Sequence, residues 1–400
     1  MKVSSNARRY LAFDYDLGGW NNIVMHFEIM VVLAWLTRRT LVLPPAKPLY
    51  LLGEEPHSLT AFFDLHTLRR HLEVIEAAEF AAECADWESF RMYMGARGHA
   101  PGWNAVEDAL LHPSNALTAR LELIPRLFAR RPVGITPEME SCEILYFPAT
   151  HEHRMFGVFE SFFLFADPAN ERRARGLVRD ALHYRPEILA LVDLALARPP
   201  LAGESYSAMH VRRGDFQYAP TRIAPEQILR HTANIISEGA TLYLATDETD
   251  PAFLRPFEER FRLVRFTGLP EDVTSRTPYH WQGIVETLLC AAAPGRFVGT
   301  RLSTFSSRIA TVRGHLSCGP GPHADSDTAL YYTQPPIEQP RPEELLPYDP
   351  PRRKHEDQHG ETSTPWWKSV AREPIWSRAY QATWVDTANG EVGSQDAETP

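Results

Sequence analysis

Two short segments carry the residue types that handle negative charge. The first is His210-Val-Arg-Arg-Gly-Asp-Phe216, and the second is Phe297-Val-Gly-Thr-Arg-Leu-Ser-Thr-Phe-Ser306. Each reads as a short apolar strand opening into a polar turn. Alternate residues of a strand share a face, so His210 and Arg212 point one way. Arg213 points the other way or starts the turn at Gly214-Asp215. Arg212 is placed to clamp a diphosphate and to offset the charge that develops as a leaving group departs. An Arg212–Asp215 ion pair at a domain edge is the plainer alternative. In the second segment a strand runs into a helix. Free N–H groups and the helix dipole favour an anion there, and Ser303 and Thr304 add hydroxyls. Ser303 can serve equally as the helix N-cap. Taken together, the two segments suggest a site for a nucleoside diphosphate and group transfer from a sugar nucleotide.

Other candidates are weaker. Thr246-Asp247 ends a strand, where Asp247 is able to accept from a nucleoside or to cap the Asp250-Pro251 turn. Asp14-Tyr-Asp16 matches a two-carboxylate pattern used for Mn²⁺ or Mg²⁺. It sits on the first strand with no nucleotide fold before it, so the expectation is no metal. His151-Glu-His153 lacks a third ligand nearby and reads as a surface loop. The four cysteines, at positions 84, 142, 290 and 318, form no CxxC pair. A zinc site is not expected, and free thiols are favoured over disulfides.

These motifs need elements to hold them. Tyr10 to Asp14 reads as a strand and Asp16-Leu-Gly-Gly19 as a turn. Trp20 to Thr37 has helical apolar spacing, and Thr40 to Leu43 is a buried strand. That is a βαβ unit of a parallel sheet. The middle, roughly 60 to 190, is mostly helical in pattern. A second α/β region follows, with strands at Tyr206–Val211, Thr241–Ala245 and Arg296–Gly299. Its helices are expected at Pro225–Ser237, His280–Ala293 and Ser303–Arg313. Every motif falls at a strand C-terminus, where α/β sheets bind their ligands.

Length and composition agree. Four hundred residues suit two domains, and a 44% apolar fraction supports a real core. The expected division is 1–200, 201–318, a Pro-rich strap at 319–365, and a tail at 366–400. That tail carries Trp366, Trp367, Trp376 and Trp384, docks back on the body, and ends in disorder. Nine prolines between 319 and 351 mark the strap. A net charge of −10 argues against nucleic acid or an acidic membrane surface as partner. Only four of the 41 basic residues are lysine, a bias expected from codon usage before function. Met1 to Tyr10 lacks an apolar core of a signal peptide, and Ile23 to Leu36 is too short and polar to span a bilayer. The chain as given reads as soluble, cytoplasmic if whole and of the secretory pathway if trimmed.

In combination the motifs resemble the GDP-fucose protein O-fucosyltransferase family. Gly18-Gly-Trp-Asn-Asn-Ile-Val-Met-His-Phe27, followed by Arg39-Thr-Leu-Val-Leu-Pro-Pro45, is similar to the family's opening. His210-Val-Arg212 with Gly214-Asp215 resembles its second motif. Tyr243-Leu-Ala-Thr-Asp247 and Gly299-Thr with Ser303-Thr-Phe305 resemble the third and fourth, and Arg313 fits the arginine that follows. Order and spacing match from about residue 10 to 315. The resemblance implies a GT-B fold, with two Rossmann-like domains facing a central cleft. It implies GDP-fucose as donor, inversion at the sugar carbon, and no cofactor or obligatory metal. Arg212 would hold the β-phosphate and assist departure of GDP. Ser303, Thr304 and Phe305 would hold the phosphates, and His210 and Asp247 the nucleoside. Gly18, Gly19, Trp20, Asn21 and Asn22 would line the donor pocket, with Asn22 near the fucose. The acceptor would be Ser/Thr of a protein or a glycan hydroxyl, the latter because α1,6-fucosyltransferases carry a similar Arg motif.

One departure matters. Some members have a glutamate as catalytic base where this chain has Gly18. Asp16 is the nearest carboxylate and the expected base. The alternative is a base-free route in which Arg212 and Asn22 assist departure and a phosphate oxygen takes the proton. A catalytically inactive nucleotide-binding scaffold and a metal-dependent enzyme using Asp14 and Asp16 are the competing readings.

Overall fold

The computed structural model describes residues 8–83, 144–147, 168–203, 205–216, 222–300, 303–317, 328–331 and 385–386. The expected loop at His151–His153, the tryptophans of the tail, and Cys84, Cys142 and Cys318 lie outside them. The chain divides into two compact units, and among the described residues the division falls at Pro186/Glu187.

The first unit opens with β1 (Tyr10–Phe13), α1 (Trp20–Thr37) and β2 (Thr40–Leu43). Both strands are short apolar runs, buried throughout, as parallel strands covered on two faces must be. A small hairpin of β3 (Lys47–Pro48) and β4 (Pro56–His57) precedes α2 (Leu65–Arg69), β5 (Val74–Glu76), α3 (Ala77–Glu83), β6 (Ile144–Phe147) and α4 (Pro168–Ala181). The sheet is parallel, in the order β5-β2-β1-β6. Helix α1 is buried along nearly its whole length, because it is apolar on most of its circumference. It ends on Arg38, whose left-handed conformation lets its N–H reach the carbonyls of Ala34 and Trp35.

The second unit holds α5 (Pro186–Leu196), β7 (Ser207–Val211), α6 (Pro225–His231), β8 (Thr241–Thr246), α7 (Pro251–Arg260) and β9 (Arg262–Val264). It continues with α8 (Glu271–Thr274), α9 (Tyr279–Ala292), β10 (Phe297–Thr300), α10 (Thr304–Ser317), β11 (Thr328–Tyr331) and β12 (Val385–Asp386). All its described strands are parallel, in the order β12-β11-β10-β7-β8-β9. Strands β11 and β12 fall within the stretches read as strap and tail; β11 extends the sheet beyond β10, and β12 forms its edge. One face packs Met209, Val211, Leu242 and Leu244 against Ile228, Phe253 and Phe257. Pleat alternation sends His210 and Tyr243 to the opposite face.

Helix α6 stops at His231, well short of the expected Ser237. The Thr232 hydroxyl takes the Ile228 carbonyl, offering the backbone a local alternative to helix. Arg313 is fully buried. Its Nη1 donates to the carbonyls of Cys290, Ala291 and Ala293, and its Nη2 to Gly295. The carbonyls of Cys290, Ala291 and Ala293 are the open ones at the end of α9 and its C-cap, so Arg313 caps that helix and meets its negative pole, while the Gly295 carbonyl belongs to the turn that follows. Burial lowers its guanidinium to about 10, which keeps it charged at neutral pH.

Candidate active site

The second unit gathers six of the sequence-predicted residues around the ends of β7, β8 and β10. His210 is buried at the end of β7, stacked on Phe305 at 4.5 Å between ring centroids. Its Nδ1 lies 2.7 Å from the Ser306 hydroxyl. Burial first, and the neighbouring Arg212 second, push its imidazole down to about 3, so it is neutral at physiological pH. It is a fixed polar group and not a proton shuttle.

Arg212 follows directly. One Nη donates to Asp247 and the other to Asp215, and the guanidinium lies over Phe216. Both carboxylates aim the planar fork while leaving other N–H groups of the guanidinium for a ligand. Asp247 also accepts the Arg213 backbone N–H at 2.8 Å. Its two oxygens therefore serve the protein, holding the β7 turn. Gly214 leaves room for that carboxylate: a Cβ there would sit 2.4 Å from it and oblige it to shift. Arg213 leaves toward the opposite face, where it pairs with Glu248 at 2.9 Å, donates to the Ile223 carbonyl and covers Phe253.

Ser303, Thr304 and Phe305 open helix α10 beside this cluster. Ser303 is buried, and its carbonyl accepts the first α10 bond, from Ser307 N–H. Two residues to which the sequence reading gave no role complete the arrangement. The Thr300 hydroxyl donates to the His210 carbonyl and accepts the Arg212 N–H, each at 2.9 Å. Ser306 accepts the Thr300 N–H, also at 2.9 Å. Both lay inside the quoted motif, but a hydroxyl's partner is not visible in a linear pattern.

The first unit places the remaining candidates in the turn from β1 to α1. Asp16 is buried and accepts the Gly18 N–H at 2.7 Å. Asp14 accepts instead from the Tyr146 hydroxyl at 2.5 Å. The two carboxylates of the DxD pattern thus have separate local partners, and the described residues contain no group of three metal-ligating side chains. Gly19 is the N-cap of α1 and supplies no capping side chain, and the first turn holds no acidic residue. The positive pole of α1 thus gets no capping bond from the Gly19 position and no acid from its first turn, and the nearest carboxylate in sequence is Asp16. Trp20 packs on Phe62 at 4.1 Å and on Phe63 at 5.8 Å, as a core contact. Its indole Nε1 and the side-chain oxygens of Asn21 and Asn22 are buried with no hydrogen-bond partner. Buried polar atoms are seldom left so.

No described helix is long and apolar enough to cross a membrane. Cys290 is a buried free thiol.

The family model for GDP-fucose protein O-fucosyltransferase matches residues 10–316. GDP-fucose protein O-fucosyltransferase 2 of Drosophila melanogaster is 34% identical over 161 residues, covering 34% of this chain and 32% of that protein. The matched segment spans about a third of that relative's length. A crystal structure of POFUT1 in complex with GDP-fucose aligns with a TM-score of 0.49 at 16% identity, covering 82% of this chain and 99% of that one. A crystal structure of the fucosyltransferase NodZ from Bradyrhizobium aligns at 0.43 and 18% identity, covering 77% and 94%. The family match takes in both parallel-sheet units and every motif described above, and the chain belongs to the GDP-fucose protein O-fucosyltransferase family.

Proposed function

We propose that this protein is an inverting glycosyltransferase of the GT-B type that moves L-fucose from GDP-fucose to a hydroxyl without a metal ion. The acceptor is a Ser/Thr of a protein or a glycan hydroxyl. The domain limits proposed for it are those of the sequence reading, at about residues 200 and 318. The observation that carries the reading is Arg212. Two acidic side chains orient it at the end of β7, beside the start of α10, in the cluster that also holds His210 and the hydroxyl-bearing turn.

The chemistry asks for charge stabilisation on a departing diphosphate. A guanidinium fixed before substrate arrives stabilises that charge with little reorganisation. Ser303 and Thr304 offer backbone and hydroxyl donors to the phosphates, and Phe305 and the neutral His210 form the nucleoside's wall. Asp247 acts on the donor through Arg212. Gly18, Gly19, Asn21 and Asn22 are assigned to the sugar, and a helix N-terminus such as that of α1 suits an oxyanion or hydroxyl ligand. Trp20 supports that turn from the core side. Asp16, fixed by its bond from Gly18 N–H, takes the acceptor proton.

Calorimetry with EDTA present tests the donor assignment, comparing GDP-fucose and GDP with UDP and ADP. Guanine-selective binding by wild type, lost in Arg212→Ala, supports it. Equal binding of all four nucleotides, or of none, removes it. Asp16→Asn then tests the base: turnover near the wild-type rate would leave the phosphate-assisted route in its place.

A further inference from the structure

We propose that Ser306 and Thr300 are positioning residues of the donor site, and that Ser306 holds His210 in the tautomer whose proton is on Nε2. The part played in donor binding rests on the reading above, whereas the tautomer does not.

The argument begins with a single proton. The Ser306 oxygen already accepts the Thr300 N–H at 2.9 Å. It also lies 2.7 Å from His210 Nδ1. If Nδ1 carried the imidazole proton, Ser306 would accept twice, and its own hydroxyl proton would be stranded in a site where Ser306 is 1% exposed. Donation from Ser306 to Nδ1 satisfies every group. The proton of the neutral ring then sits on Nε2, and His210 meets a ligand as a hydrogen-bond donor. A base carbonyl or a phosphate oxygen is the matching partner.

Thr300 does for the backbone what Ser306 does for the ring. Its hydroxyl donates to the His210 carbonyl and accepts the Arg212 N–H, so it ties the end of β10 to both sides of Val211. Thr300 is 0% exposed, so water does not compete for those bonds. The guanidinium of Arg212 springs from a main chain held in this way. Gly299 makes the whole arrangement possible, since a Cβ there would stand 2.7 Å from both Cβ and Oγ of Ser306. Only glycine lets α10 come near enough for Ser306 to reach the β10 backbone.

Long-range ¹H–¹⁵N spectra of the imidazoles provide the test, with His210 assigned from the signal missing in His210→Gln. Wild type at pH 7 is expected to show a neutral ring protonated on Nε2, and Ser306→Ala a mixture of tautomers. GDP binding is expected to weaken about tenfold in Thr300→Val and about threefold in Ser306→Ala, the scale of one or two lost hydrogen bonds. Thr300→Ser, which keeps the hydroxyl, should recover most of the loss, a pattern that a mere packing role would not give. KM for the donor should rise more than kcat falls. A wild-type His210 protonated on Nδ1, or charged at pH 7, overturns the tautomer assignment directly. Wild-type GDP affinity in folded Thr300→Val and Ser306→Ala overturns the positioning role. Failure of wild type to bind GDP at all refutes the donor reading and the positioning role with it, while the same spectrum still decides the tautomer.

Discussion

The two clusters of candidate residues are built in opposite ways. Around Arg212 nearly every polar group has a partner: Asp247 and Asp215 hold the guanidinium, Thr300 the backbone, and Ser306 the His210 ring. At the start of α1, consecutive residues leave buried polar atoms without partners, and the helix begins on a glycine that caps nothing. The first arrangement is rigid before a ligand arrives, which suits a group that must meet developing charge without reorganising. The second is costly as it stands, since a buried polar atom without a partner is destabilising by about 1–3 kcal/mol. One cluster is organised by the protein, and under the proposed function the other is completed by the substrate.

The sharpest way to break that contrast is Arg212→Ala. Turnover should fall by about a hundredfold or more, and GDP binding with it. Arg212→Lys should recover little, because an ammonium cannot reproduce the planar fork that two carboxylates now aim. Near-normal turnover of Arg212→Ala on GDP-fucose would show that the preorganised cluster handles no charge.

Asn22→Ala separates the two kinds of construction. It should lower kcat about tenfold, yet leave thermal stability unchanged or slightly raised, since it removes a buried oxygen that has no partner. A matching loss of stability and activity would mean that Asn22 is structural.

Gly214→Ala probes how tightly the Arg212 turn is set. The new methyl would press on the Asp247 carboxylate and the Arg212 guanidinium, side-chain ends that would have to shift without moving the backbone. The expected outcome is a rise of a few-fold in donor KM with a melting temperature close to wild type. An unchanged KM would show that the Asp247–Arg212 geometry tolerates displacement.

A smaller effect concerns stability and pH. Glu286 on α9 lies beside Tyr243 and Cys290, and burial pushes its carboxyl up from 4.5 to about 7. A raised folded pKa contributes stability that is fully present below about pH 4.5 and lost as pH rises through 7. His210 works in the other direction. Its folded pKa is depressed from 6.5 to about 3, so its contribution is present above pH 6.5 and lost as pH falls toward 3. Between pH 5 and 6.5 the two oppose one another. Glu286→Gln removes one of them, so the mutant should gain on wild type by about 2–3 kcal/mol between pH 5 and pH 8. Melting curves at the two pH values decide the matter, and a constant difference would show that Glu286 titrates normally.

Much of the fold was legible in the residues. Helix α1 spans Trp20–Thr37 and β2 Thr40–Leu43, both as expected, because a strong apolar pattern there meets a glycine turn at one end and Pro44-Pro45 at the other. The expected strands β7, β8 and β10 were each found within a residue. Other features escaped the pattern. Strand β11 sits in a stretch whose prolines read as a strap, and β12 in a tail whose tryptophans read as docking; both are short segments ordered by a sheet edge. Trp20 stood in a motif that suggested a pocket wall, and its packing on Phe62 and Phe63 was not visible there. Arg313 stood in the family pattern as one more arginine, and its work is to cap α9 from within the core.

The sequence by itself determined the family, the two α/β regions, and which residue types stand at the strand ends. Those properties are local or nearly so: apolar runs, turn residues, and motifs in a fixed order. Tertiary structure alone decided that Ser306 meets His210 across a separation of 96 residues, and Thr300 the Arg212 backbone across 88. The same packing spends both oxygens of Asp247 on the protein and leaves those of Asn21 and Asn22 with no partner. A hydroxyl, a carboxylate or an amide carries the same capacity for hydrogen bonding wherever it stands in the chain. Which partner fills that capacity depends on distances of a few tenths of an ångström between elements far apart in sequence, and only the packing of helix against sheet sets those distances.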